Sequence, residues 1–171
     1  MKKPKIIVIG GATATSKSTF SFELMKKHKI VHKLGSGFIR EMAKNFYKKK
    51  KFPTLYNHSY QGIYDKPFQN LYEQSKPLKK MIHLAIKRAN REGTSIIIEG
   101  VNLIPGLTEF KEVSKKYMMV IKNEKKHLNR ILKNKTHLNR KVSNTDFKKI
   151  RKIQEILILR ATKYNWNIIE V

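Results

Sequence analysis

The strongest constraint on this chain is the turn that closes its first apolar run. Lys5 to Gly11 (KIIVIGG) is an unbroken, mostly β-branched stretch ending in two glycines, the pattern of a parallel strand covered on both faces. Gly11-Ala12-Thr13-Ala14-Thr15-Ser16-Lys17-Ser18 comes next, and Lys17 to His28 then spaces Phe20, Phe22, Leu24 and Met25 among polar residues as a helix does. Strand, turn and helix in that order match the phosphate-binding pattern G-x-x-x-x-G-K-[ST], with Ser16 in place of the second glycine. In such a turn successive backbone N–H groups and a helix N-terminus face an anion, the lysine reaches the β- and γ-phosphates, and the serine hydroxyl can ligate Mg2+. The expected nucleotide site is therefore Gly11, Ala12, Thr13, Ala14, Thr15, Ser16, Lys17, Ser18 and Thr19, with Ser18 as metal ligand and ATP and Mg2+ as cofactors. Ser16 must adopt whatever torsions the glycine would use.

The rest of the chain alternates in the same way. Strands are expected over Lys29–Leu34, Thr94–Gly100 (TSIIIEG), Val113–Lys122 and Asn167–Val171. Helices are expected over Phe38–Lys50, with Phe38, Ile39, Met42, Ala43 and Phe46 inward, and over Phe68–Arg91, split or kinked at Pro77. Glu124–Leu132 and Asp146–Tyr164 complete the helices, and Pro53 to Pro67 reads as a loop. Five short strands alternating with helices predict an α/β fold with a parallel sheet of roughly five strands, in a single domain over residues 1–171. A ligand belongs at the carboxyl ends of such strands. The weakly patterned, very basic Lys133–Thr145 stretch is the expected lid.

Carboxylates are scarce, which narrows the candidates for a general base. Asp65 and Asp146 are the only aspartates, and before Asp65 the only carboxylates are Glu23 and Glu41. Glu99, at the end of the Ile96–Ile98 run, is placed to hold the water shell of Mg2+ or to orient a nucleophile; Glu41 and Asp65 are the alternatives. Phosphoryl transfer depends mainly on positioning and charge stabilisation, so a weak base suffices. Arg130 and Arg140 bracket the basic stretch, and a guanidinium offers phosphate a bidentate fork that lysine lacks. The catalytic candidates are thus Lys17, Glu99, Arg130 and Arg140.

With 38 Lys+Arg against 12 Asp+Glu the formal charge is +26, and 31 of the 38 cations are lysine. Such a field attracts polyanions and small phosphorylated molecules alike. No cysteine is present, which excludes disulfides, zinc–thiolate sites and thiol nucleophiles. No stretch has the roughly 18–20 apolar residues of a membrane span, so no membrane partner and a cytoplasmic location are expected.

Several segments together resemble one family, the archaeal 2-phosphoglycerate kinases of the P-loop kinase superfamily. They are IIVIGGATATSKST at 6–19, FIREM at 38–42, PTLYNHSYQG at 53–62, Gln74, REGTSIIIEGVNLIPGL at 91–107, HLNR at 127–130 and IRKIQEILILRA at 150–161. The resemblance implies a five-stranded P-loop kinase fold, Mg-ATP, and transfer of the γ-phosphoryl group to a small phosphorylated acid. By match, Lys17 and Ser18 would bind nucleotide and Mg2+, Arg40, His58, Ser59 and Tyr60 would face the acceptor, and Arg130 and Arg140 would be lid arginines. Glu41 and Asp65 fall in the same acceptor region. The chain departs from the family at Ser16, at Gly37, where an aspartate is usual, and at Asn102, where a histidine is usual. Two other readings remain: a polynucleotide kinase that uses the Lys48–Lys51 and Lys133–Lys141 clusters to bind RNA, and a non-catalytic nucleotide-binding relative. On the small-acid reading the lysines are expected to bind RNA weakly and non-specifically, and on the polynucleotide reading RNA is the substrate; oligomeric state is not legible.

Overall fold

The computed structural model describes residues 3–133, 139 and 141–171. Five parallel strands, β1 (Ile6–Gly11), β2 (His32–Gly35), β3 (Ile96–Glu99), β4 (Lys115–Val120) and β5 (Asn167–Glu170), form one sheet in the order β2-β3-β1-β4-β5. β1 is central, and all six of its residues are buried, as its continuous apolar run requires. The helices are α1 (Lys17–His28), α2 (Ser36–Ala43), α3 (Pro67–Arg91), α4 (Glu124–Leu132) and α5 (Asn144–Lys163). Ile7, Ile9, Ile97 and Met119 meet Leu24 and Ile30 on one face of the sheet. Ile6, Val8, Ile98, Met118 and Val120 meet Leu71, Leu78, Ile82, Ile153 and Leu157 of α3 and α5 on the other. The result is the three-layered α/β arrangement, a five-stranded parallel sheet between helices, that the alternating pattern predicts.

Three expectations needed correction. The helix predicted over Phe38–Lys50 starts earlier, at Ser36, and stops at Ala43. Propagation would give the carbonyls of Lys44 and Tyr47 to the amides of residues 48 and 51. The Tyr56 hydroxyl donates to both instead, at 3.1 and 2.9 Å, and the chain turns back with Tyr47 edge-on to Phe52. So short a helix buries one stripe only: Ile39 and Ala43 lie in the core, whereas Phe38, Met42 and Phe46 are exposed. Finally, Pro77 does not split α3, which runs as one element of 25 residues. Proline removes one amide donor, but Leu71, Leu78, Ile82 and Ile86 are fully buried along the same face and hold the helix together.

Segment ends obey local chemistry elsewhere. Ser143 and Asp146 form a reciprocal capping box that starts α5, and Asn123 accepts the Lys126 amide to start α4. Among the described residues no helix is long and apolar enough to cross a membrane.

Candidate active site

β1 and β3 are neighbours whose onward connections run to opposite sides, β1 to β2 and β3 to β4, and the carboxyl ends at such a switch point are where a ligand belongs. The turn from Gly11 to Ser16 fills the β1 side of it. Gly11 has φ +149°, and a Cβ there would lie 2.6 Å from Thr15 Oγ1 and 2.7 Å from the Met119 carbonyl oxygen, so only glycine fits. Ala14 and Ser16 both sit at φ 60°, in the left-handed region that the motif's second glycine ordinarily occupies without cost. Ser16 precedes the first turn of α1, which carries no acidic residue and no side-chain cap, leaving the helix amides available to an anion.

Side chains converge on this turn from four elements. Lys17 Nζ donates to the Ala12 carbonyl at 2.6 Å, and Thr15 Oγ1 donates to the same oxygen at 3.0 Å. From β3, Glu99 accepts the Ser18 hydroxyl at 2.8 Å, and its carboxylate lies 3.6 Å from Lys33 Nζ on β2. The sheet register explains the encounter, because Glu99 pairs with Ile9 on one side and Gly35 on the other. From α4, Arg130 donates to Ser16 Oγ at 2.6 Å and the imidazole of His127 lies 2.8 Å from the Thr13 carbonyl oxygen. Residues 127 and 130 are three apart and share one face of the helix.

A second group of residues lies along α2, the 53–62 segment and α3. Arg40 donates to the Asn57 carbonyl at 3.1 Å. Gln74 Nε2 donates to the same carbonyl at 2.9 Å and to that of Thr54 at 2.7 Å. Asn102 Nδ2 in turn donates to Gln74 Oε1 and Ser75 Oγ, both at 3.0 Å, while its own carbonyl accepts the Ser36 hydroxyl at 3.1 Å. Ser36, Gln74, Ser75 and Asn102 are all buried, so this network must be satisfied internally, and it is. His58 stacks on Tyr60 with ring centroids 5.4 Å apart, and Ser59 and Tyr60 are buried beside it.

The remaining candidates are more peripheral. Glu41 is exposed and bonded to Lys44 at 2.7 Å, a partner that lowers its pKa below the usual glutamate value. Asp65 and Thr19 are exposed, and Gly37 is exposed with open space where a Cβ would stand. Arg140 lies outside the described residues, as does most of the first half of the expected lid. Sequence reasoning passes over Lys33, Gln74 as a bonded partner, and Arg151, which donates to the carbonyls of Ile121 and Lys122 and lies 3.3 Å from His127 Nδ1. His127, which the sequence offers only as part of the His-Leu-Asn-Arg match, is fully buried.

No protein-family model matches the chain. It is 31% identical to a 2-phosphoglycerate kinase of Pyrococcus horikoshii and 28% identical to one of Methanocaldococcus jannaschii, in each case over 99% of its own length. It spans about 60% of the length of these curated relatives. Among solved structures, TT1252 from Thermus thermophilus matches with a TM-score of 0.60 at 14% identity, over 99% of this chain and 90% of that one. A Chloroflexus aurantiacus protein put forward as a kinase matches with a TM-score of 0.55 at 16% identity, over 100% of this chain and 86% of that one.

Proposed function

We propose that this chain, kin over nearly its whole length to the archaeal 2-phosphoglycerate kinases, is an ATP-dependent phosphotransferase acting on a small phosphorylated acid of the 2-phosphoglycerate kind. The observation that carries this reading is the Ser18–Glu99 contact at the base of a tightly wound turn that also holds Lys17. A hydroxyl beside a carboxylate is a set of hard oxygen donors of the kind Mg2+ takes, so the residues suit Mg-ATP. Ser18 would ligate the ion and Glu99 would reach its water shell. When bound, Mg-ATP supplies the transferable phosphoryl group and a divalent charge beside its β- and γ-oxygens.

The chain's own residues do the rest. Lys17, on leaving the Ala12 carbonyl, places a cation against the β- and γ-phosphates. Arg130, already 2.6 Å from Ser16 Oγ, can share the charge that develops on the equatorial oxygens, with Arg140 as the second arginine of the lid. Arg40 offers the acceptor's acidic group a fork whose direction is fixed by the Asn57 carbonyl. Glu99 is the base of choice over Glu41 and Asp65, since Ser18 and Lys33 orient it where β1, β2 and β3 end together.

The +26 charge favours a second reading, in which the acceptor hydroxyl belongs to RNA. The nucleotide site is common to both and is tested first. Lys17→Ala should abolish ATP binding measured by calorimetry, and equal affinities for mutant and wild type would sink the proposal.

A further inference from the structure

His127 is fully buried, and the transfer mechanism makes no use of it. Its Nε2 lies 2.8 Å from the Thr13 carbonyl oxygen, which can only accept, so Nε2 carries the proton. Nδ1 lies 3.3 Å from Arg151 NH1, and a guanidinium can only donate, so Nδ1 is the bare, accepting nitrogen. The two contacts define one neutral tautomer. Arg151 is itself anchored by the carbonyls of Ile121 at 2.6 Å and Lys122 at 3.0 Å, immediately beyond β4. Phe147 of α5 closes the other side, edge-on with ring centroids 5.6 Å apart. A line of bonds thus runs from the end of β4 through α5 and α4 to the middle of the phosphate-binding turn.

The peptide bond gives this line its consequence. Every peptide in the described chain is trans, so the C=O of Thr13 and the N–H of Ala14 point in opposite directions from one rigid plane. Holding the carbonyl toward α4 turns the Ala14 amide away from α4. That orientation needs help, because Ala14 stands at φ 60° without the freedom of glycine. We infer that His127, in its Nε2–H tautomer set by Arg151, is the positioning residue that aims the Ala14 amide at the anion this turn receives. The inference rests on the nucleotide reading of that turn and adds to it the part that holds an amide in place.

The surroundings suit a neutral ring. The charged groups facing the imidazole are Arg151 on α5, Lys17 at the start of α1 and Arg130 on α4, all cations. Burial lowers the pKa of His127 first, and these three charges lower it further against the opposing pull of the Thr13 carbonyl. A neutral His127 also adds no charge that would compete with Lys17 for the phosphates.

Imidazole 15N spectra of the intact protein at pH 7 should show His127 as a neutral Nε2–H tautomer, and Arg151→Gln should mix the two tautomers. His127→Leu removes the donor, whereas His127→Gln keeps an N–H near the position of Nε2. Loss of one buried hydrogen bond to a binding amide's peptide is expected to weaken ATP binding roughly tenfold in the leucine variant, with the glutamine variant within about threefold of wild type. Amide exchange at Ala14 should accelerate in His127→Leu and recover in His127→Gln. An Nδ1–H tautomer or an imidazolium in the wild type would overturn the inference, as would leucine-variant ATP affinity equal to wild type. Should the leucine variant fail to fold, the tautomer and the Arg151→Gln spectra still decide. Should wild type bind no ATP, the nucleotide reading falls, and the tautomer and Ala14 exchange decide this inference alone.

Discussion

Ser16 pits a backbone cost against a side-chain bond, and the two can be separated by substitution. At φ 60° and ψ 25° a residue with a Cβ gives up roughly 1–2 kcal/mol relative to an ordinary conformation. Its hydroxyl accepts from Arg130 at 2.6 Å. A bond to a charged group contributes about 1.5–3 kcal/mol when buried, and both residues here are partly exposed, so about 1 kcal/mol is a fair value. Ser16→Ala keeps the strain and loses the bond, and should destabilise by about 1 kcal/mol. Ser16→Gly loses the bond but relieves the strain; after about 0.5–1 kcal/mol for the freer unfolded chain, it should be more stable than the alanine variant by about 0.5–1 kcal/mol. In an Arg130→Ala background Ser16→Ala should become nearly neutral and Ser16→Gly should stabilise. Urea unfolding of the full cycle measures all of these. A glycine variant no more stable than the alanine variant would refute the left-handed assignment. An unchanged cost of Ser16→Ala in the Arg130→Ala background would refute the bond.

Two further outcomes concern the same site. Glu99→Gln should cut phosphoryl transfer far more than it weakens ATP binding, since Glu99 contacts the Ser18 hydroxyl and Lys33 and, on the proposed reading, would reach the metal's water shell; normal turnover would pass the role of base to Asp65 or Glu41. His127 has a pKa below its usual 6.5 in the folded protein, so between the two values the unfolded chain binds more protons. Stability should therefore be fully present above about pH 6.5 and decline as pH falls below it, by at most about 1.4 kcal/mol per unit, and His127→Gln should remove that part of the acid dependence in urea titrations.

Features that depend on neighbours along the chain are legible in the sequence. The β-branched run before Gly11, the turn that leads into the helix at Lys17 and Ser18, and the Ile96–Glu99 strand each announce their place in the fold within a dozen residues. Glu124–Leu132 has the bounds its pattern predicts because Asn123 caps it locally. Features carried by partners far away escape. α2 stops at Ala43, where Tyr56 takes the carbonyls of Lys44 and Tyr47 that would carry the helix on, and α3 survives Pro77 because of a core supplied by other elements. The Gln74–Asn102 pair joins residues 28 apart, and His127 reaches Thr13 across 114. His-Leu-Asn-Arg occurs twice, at 127–130 and 137–140, and nothing in the tetrapeptide itself announces that His127 packs against the Thr13 carbonyl.

The central claim is the identity of the acceptor, and labelled-phosphate transfer tests it most directly. Wild-type protein is incubated with γ-labelled ATP, Mg2+, 2-phosphoglycerate and RNA together, across a range of salt. Contacts to many RNA phosphates release counterions and weaken steeply with salt, whereas an acceptor held by Arg40 and a few local groups does so only modestly. Label should appear in the glycerate phosphate at moderate salt, be lost in Lys17→Ala, and be absent from RNA ends and riboses. Label in RNA, competed by cold RNA and not by the small acid, would contradict the account.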